Sequence, residues 1–399
     1  MDGAATLSRR RPPGAAEPRL GRDVVLRAQL RHDEPRALER LRAALGFEPL
    51  DLVLLFATPD ADPATLAREA ARVFGDTPVM GCTTAGEIGT GGYDEGQIVA
   101  VGLPRRHFRS AVMAMEGVSA LDPREVAERV GRVRTGLAAA SPERPEAFAF
   151  LLVDGLSAAE DRVAGAVAAA LGGPAGMPLL GGSAADGARY RRTFVLHGGR
   201  ASADAALLAL VRTDCPVRVF QTDHLVPTET RMVVTGADPS RRIVTEINAE
   251  PAAREYARLL GRAPEDLTPF AFAAHPLVVR VGGRHHVRAI QRMEGDALRF
   301  FGAIDEGLVL TLARTGDMAA HLSASLEALS RDGAPDVILA CDCTLRRIEA
   351  EGRQLGGALG ALLARYRAVG FSTYGEQRGA LHVNQTLTGV AIYPPPGAA

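Results

Sequence analysis

Apolar residues along this chain fall into two recurring patterns. Short unbroken apolar runs have the length of strands buried on both faces: "DLVLLFAT" (51–58), "FAFLLVDG" (148–155) and "DVILACD" (336–342). Each is followed by a stretch in which apolar residues recur three or four apart, as on one face of a helix. Leu66, Ala70 and Val73 do so in "DPATLAREAARVF", and Leu355, Leu359 and Leu362 in "LGGALGALLARY"; "SAAEDRVAGAVAAAL" lies between them. Asp62 and Pro63 supply a cap and a first-turn proline to the first helix. Ser157 and Glu160 have the spacing of a capping box for the second. A glycine-rich stretch comes after each helix and leads into further strands: "GQIVAVGL" in the first unit, "RTFVLHG" and "AALLALV" in the second, "QTLTGVAIY" in the third. The same order thus occurs three times and predicts an α/β (mixed α+β) fold of pseudo-repeated strand–helix–strand units.

The three glycine stretches align residue by residue. Gly81-Cys-Thr-Thr-Ala-Gly86-Glu87, Gly181-Gly-Ser-Ala-Ala-Asp186-Gly187 and Gly370-Phe-Ser-Thr-Tyr-Gly375-Glu376 share the frame G-x-[ST]-x-x-[GD]-[EG]. A phosphate loop follows a strand and opens a helix, so that helix N–H groups face the anion. Here the glycines follow a helix and open strands, which argues against a nucleotide cradle. The order also fails for a nucleophile elbow. Two readings remain, a tight strand entry and the wall of a pocket. Thr83, Thr84, Glu87, Ser183, Asp186, Ser372, Tyr374 and Glu376 are the polar residues that would line it.

Residues 213–335 follow another pattern. "VRVFQTDHL" reads as a strand ending at His224, and "RRIVTEINAEPAAREYARLLG" as strand, turn and helix. "FAFAAHPLVVRVGG", "HHVRAIQRME" and "ALRFFGAIDEGLVLTLAR" read as an antiparallel insert, with His275 on an apolar strand; "GDMAAHLSASLEAL" reads as a helix.

Composition narrows the chemistry. The 46 basic residues are all arginine and are balanced by 47 acidic ones, for a net charge of -1, which does not suit a dedicated nucleic-acid binder. Without lysine there is no Walker lysine, Schiff base or pyridoxal phosphate anchor. The four cysteines are scattered, which makes a disulfide framework unexpected. Cys341 and Cys343 lack a second pair for structural zinc. No apolar run reaches the roughly 18 residues of a membrane span. Residues 1–22, rich in Arg, Pro, Gly and Ala, read as a disordered tail without a signal-peptide core, as does the short end 394–399. A cytoplasmic location is expected.

Taken together, these stretches resemble the FIST family, whose members pair a FIST N and a FIST C domain. "GCTTAGEI" and "LLGGSAAD" are similar to N-domain motifs, and "TGADPSRRIVTEINAEPAAREYARLLG" is similar to the start of the C domain. "ACDCTLRR" matches its D-C-x-x-R pattern at Asp342, Cys343 and Arg346, and "VGFSTYGEQ" and "HVNQTLTGVAIY" its closing strands. Gln377 departs from the family, which more often has an apolar residue after the glutamate. The resemblance divides the chain into a FIST N domain at 23–245 and a FIST C domain at 246–393. It implies a non-catalytic sensor of a small ligand that regulates a partner in trans, such as a histidine kinase. One branch of the family senses nitric oxide through haem, which makes haem b the first candidate cofactor and an amino-acid-like metabolite the second.

A haem sensor needs an axial ligand in a dry pocket. Among nine histidines, His224 ranks first because it closes an apolar strand, and His275 second. His382 and Asn384 share a strand face. The rival class is an enzyme that uses Cys82 as nucleophile or the Glu87/Glu376 carboxylates for acid–base work.

Overall fold

The computed structural model describes residues 23–397 except Gly282. The expected tail at 1–22 lies outside the described residues, as do the final two residues of 394–399. The first unit comprises β1 (Leu26–Arg31), α1 (Ala37–Ala44), β2 (Leu50–Ala57), α2 (Pro63–Phe74), β3 (Val79–Thr83), the hairpin β4 (Glu87–Gly89) and β5 (Gly92–Asp94), and β6 (Gln97–Pro104). The second repeats the order: β7 (Phe108–Glu116), α3 (Pro123–Ala140), β8 (Glu146–Val153), α4 (Glu160–Ala170), β9 (Leu179–Ser183), the hairpin β10 (Val195–His197) and β11 (Arg200–Ser202), and β12 (Ala205–Thr213).

The third unit begins with β13 (Val217–Thr222) and is then interrupted. The insert runs through β14 (Leu225–Asp238), β15 (Ile243–Ile247), β16 (Glu250–Pro251), α5 (Ala252–Leu260), α6 (Pro269–Ala274), β17 (Leu277–Val281), β18 (Arg284–Arg288), β19 (Ile290–Glu294), β20 (Ala297–Phe300) and β21 (Val309–Thr315). The unit resumes with α7 (Met318–Leu329), β22 (Val337–Cys343), α8 (Thr344–Gly352), α9 (Gly356–Arg365), β23 (Ala368–Thr373), the hairpin β24 (Glu376–Arg378) and β25 (Leu381–Val383), and β26 (Leu387–Ile392).

Three six-stranded sheets share one strand order: β1-β6-β2-β3-β10-β11, β7-β12-β8-β9-β24-β25 and β13-β26-β22-β23-β4-β5. The pairs β2–β3, β8–β9 and β22–β23 are parallel, and the other neighbours run antiparallel. Each hairpin leaves its own unit. The first unit's hairpin joins the third sheet, the third unit's joins the second, and the second unit's joins the first. This cyclic exchange covers the edge of each parallel pair, which would otherwise present unpaired backbone groups. It also gives the molecule a pseudo-threefold plan that ties every unit to the other two.

Alternation along the central strands explains their unbroken apolar sequence. Leu52, Leu54 and Phe56 of β2, Phe148, Phe150 and Leu152 of β8, and Val337, Leu339 and Cys341 of β22 meet in one core between the three sheets. The intervening residues face helices: Val53 and Leu55 pack in the cluster of α1 and α2, Ala149 and Leu151 in that of α3 and α4, and Ile338 and Ala340 in that of α7 and α9. With both faces covered, every position can be apolar. The first glycines of the motif, Gly81, Gly181 and Gly370, fall at equivalent points of the parallel pairs. A Cβ there would collide with the carbonyl oxygen of Leu55, Leu151 or Ala340. Close approach of parallel strands therefore sets the first glycine of the frame. Behind it, Gly182 leaves room at the axis for Phe371, which stacks on Phe56 with ring centroids 4.5 Å apart.

Several local expectations change. Asp62 does cap α2, accepting from Thr65 N–H at 2.8 Å. Ser157 and Glu160 form no capping box: the residue before α4 is Ala159, and the Ser157 hydroxyl instead donates to the Asp154 carbonyl at 2.7 Å. Helix α8 directly follows β22, where the sequence pattern gives no separate helix. His275 lies not on a strand but at the C-terminal end of α6, because "PFAFAA" forms a helix capped by the Thr268 side chain. His224 sits in the connection between β13 and β14 rather than on a strand. Among the described residues no helix is long and apolar enough to cross a membrane.

Candidate ligand site at the strand ends

The three glycine stretches meet at the pseudo-threefold axis. Ala85 N–H donates to Ser372 O at 2.9 Å, Tyr374 N–H to Ser183 O at 3.4 Å, and Ala185 N–H to Thr83 O at 2.9 Å. These bonds form a closed ring between equivalent positions of the three units. Thr83, Thr84, Ser183, Ser372 and Tyr374 are all buried in it. The residues that sequence singled out are thus brought together, most of them in a packed hub, with Thr83 and Asp186 also facing a cavity.

Two carboxylates of the frame lie in this hub in matched settings. Glu87 accepts from the Thr84 hydroxyl and, at 3.0 Å, from Gln97 N–H. Glu376 accepts from the Thr373 hydroxyl and, at 2.6 Å, from that of Thr386. Neither carboxylate has an ion-pair partner among the described residues. Burial therefore dominates: it pushes Glu87 up to about 7 and Glu376 up to about 8, with the hydroxyl bonds holding each back. Ser183 accepts from the Gln377 amide at 2.9 Å, so Gln377 is absorbed into the hub.

Asp186 builds the way out to solvent. Its two oxygens accept from the backbone N–H groups of Tyr190, Arg191 and Arg192, each at 2.8 Å, and from the Tyr374 hydroxyl. One buried carboxylate therefore holds the loop after the second glycine stretch in a tight curl. That loop presents Arg191 and Arg192, both exposed, whose guanidinium groups make no hydrogen bond or ion pair among the described residues. Arg189 beside them is paired to Asp60 at 2.6 Å. They border a cavity of about 550 Å³, with Thr83 and Asp186 in its wall and the first turn of α2 opposite. The cavity lies beyond the carboxyl ends of β2 and β3, where open α/β sheets bind ligands.

The third motif, at the start of α8, forms a buried charged chain. Arg346 donates from Nε to Asp342 Oδ1 at 2.7 Å and from Nη1 to His224 Nδ1 at 3.1 Å. Because a guanidinium only donates, Nδ1 must accept, and Nε2–H donates to Glu349 Oε2 at 2.9 Å. The Tyr93 hydroxyl donates to the other oxygen of Asp342. Glu349 Oε1 lies 3.1 Å from Arg353 Nε without the alignment of a hydrogen bond. Both nitrogens of His224 are therefore engaged and its side chain is buried. Haem iron needs a free imidazole nitrogen, so the residues around His224 do not fit haem. The histidine is a link in the chain that joins the insert's first connection to α8.

Cys82 is sealed in the apolar core between the sheets, and burial pushes its thiol well above the usual range. That is the reverse of an activated nucleophile. Cys341 and Cys343 are buried in two separate apolar clusters. Sequence reasoning missed Arg191 and Arg192. The signal was present as a run of arginines directly after Asp186 in "GARYRRTF".

Fold and site together define a class: an α/β protein of strand-exchanged units with a polar cavity at the ends of its parallel strands. The chain belongs to the FIST family, with the FIST N domain matched over residues 51–250 and the FIST C domain over residues 252–378. FIST domains are associated with small-ligand sensing in signalling proteins. No curated protein matches the chain.

Proposed function

We propose that this protein senses a small carboxylate-bearing metabolite of amino-acid type, and that a signalling protein acting in trans reads the occupancy of the site. The observation that carries this reading is the cavity walled by Arg191 and Arg192, two exposed guanidinium groups at the strand ends without partners among the described residues. A guanidinium recognises a carboxylate with two parallel hydrogen bonds. Asp60, paired with Arg189, and Asp62, the cap of α2, also line the cavity and each has a second carboxylate oxygen for an ammonium group. The bound molecule would bridge the Asp186 loop and the start of α2, which come from different units. Tying these two units together on binding is a signal that a partner can read. A catalytic role has less support, since Cys82 is sealed and the Glu87 and Glu376 oxygens accept bonds from their own surroundings.

Calorimetric titration with a panel of amino acids and dicarboxylic acids tests the reading. At least one member is expected to bind to the wild type, and Arg191→Ala with Arg192→Ala is expected to weaken it about tenfold or more, as loss of charge-assisted bonds does. Unchanged affinity in the double variant would remove the cavity from consideration. Haem titration is the companion measurement. No Soret shift that depends on His224 is expected; a shift abolished by His224→Ala, with circular dichroism unchanged, would restore haem as the ligand.

A further inference from the structure

We propose that His107, Asp214 and Cys215 form a binding site for a zinc-like transition-metal ion, at the opposite end of the central core from the glycine hub. His107 lies in the turn between β6 and β7, and Asp214 and Cys215 in the connection from β12 to β13. His107 Nδ1 is 3.0 and 3.2 Å from the two oxygens of Asp214, and Cys215 Sγ is 3.4 Å from Asp214 Oδ1. One ligand atom from each of the three residues lies within 4.8 Å of the others. Zinc bonds of about 2.0–2.3 Å in a tetrahedron place ligand atoms about 3.3–3.7 Å apart. The two separations to Asp214 already approach this spacing, and that between His107 and Cys215 is within 4.8 Å, so side-chain rotation brings the three atoms around an ion.

The surroundings suit an open site. Cys215 is held by its N–H bond to the Thr213 hydroxyl at 3.0 Å, with its sulfur against the central core. His107 and Asp214 are partly exposed. A neighbouring cavity of about 600 Å³, walled in part by His107 and by Asp23 and Asp336, which are paired to Arg367, with Arg106 beside them, gives an ion access. Imidazole and thiolate donors favour zinc and its neighbours over magnesium or calcium. On binding, metal–sulfur, metal–nitrogen and metal–oxygen bonds form. The Cys215 thiol gives its proton to solvent, and the His107 proton moves from Nδ1 to Nε2, so one proton is released per ion. This site is independent of the metabolite cavity and stands or falls without it.

The test uses full-length protein stripped by chelation and titrated with Co²⁺, then with Zn²⁺ against a chromophoric chelator. One equivalent of cobalt is expected to give a thiolate-to-metal charge-transfer band and the visible bands of a tetrahedral ion, with Zn²⁺ displacing it. Cys215→Ser is expected to abolish the charge-transfer band. His107→Ala and Asp214→Asn are expected to weaken zinc binding at least about tenfold. His107 is partly exposed, so its variant keeps the test valid if Cys215→Ser fails to fold. Absence of the charge-transfer band, or zinc affinity unchanged in a folded His107→Ala, would overturn the proposal and leave an ordinary histidine–aspartate pair beside a buried thiol.

Discussion

Arg346→Met is expected to destabilise the protein by about 3–5 kcal/mol, read as a fall in the urea midpoint at unchanged m-value. The substitution keeps much of the side-chain volume and removes only the charge and its donors. What remains is the cost. Asp342 is fully buried and would retain the Tyr93 hydroxyl but no cation, and His224 Nδ1 would lose its donor. Leaving a buried charge uncompensated costs far more than the pair contributes, because each ion was desolvated on the strength of the other. The same physics predicts strong non-additivity. Asp342→Asn combined with Arg346→Met should cost clearly less than the sum of the two single variants, since the double variant has no orphaned charge. Additive losses in this double-mutant cycle would mean that the two residues act independently, contrary to the geometry.

Stability is expected to fall as pH rises from about 5 to about 8, with the two hub carboxylates responsible. Burial holds Glu87 and Glu376 protonated to about 7 and about 8 in the folded protein, against 4.5 for an unperturbed glutamate. The sign follows from proton counting. Between these values the unfolded chain has released protons that the native state keeps, so raising the pH favours unfolding. The contribution is fully present below 4.5 and is lost as pH passes through 7 for Glu87 and 8 for Glu376. Each group gives a slope of about 1.4 kcal/mol per pH unit within its window. Glu376→Gln removes one titrating group while keeping the shape of the side chain. Urea unfolding across the range should show a flatter profile for this variant, and greater stability than the wild type at pH 8 and above. A wild-type profile that stays level from pH 5 to 8 would mean that the hub carboxylates titrate normally.

The features legible in sequence were those set by local or repeating constraints. The apolar runs 51–58, 148–155 and 336–342 announced strands covered on both faces, and they are β2, β8 and β22. Asp62 and Pro63 announced the start of α2. The frame shared by residues 81–87, 181–187 and 370–376 announced equivalent turns, and these do meet. Where local rules competed, sequence reading slipped. "PFAFAA" has the composition of a strand, but its Thr268 cap and packing in the insert make it a helix. Ser157 has the spacing of a capping box, yet its hydroxyl is taken by Asp154.

By itself, then, the sequence determined that three like units exist, which residues form their strands and turns, and that lysine chemistry is absent. These follow from periodicity, from glycine where parallel strands approach, and from composition, each confined to a few neighbouring residues. Tertiary structure alone decided that the hairpins are exchanged among units, because β4, β10 and β24 carry no mark of which sheet edge they will cover. It also decided the fate of the polar residues. His224 became a buried link because Arg346 and Glu349, more than a hundred residues away, took both of its nitrogens. Arg191 and Arg192 are without partners among the described residues because Asp186 spends its oxygens on their backbone and leaves their side chains to solvent. A side chain's chemistry depends on which partners reach it first, and that is fixed only when distant segments pack.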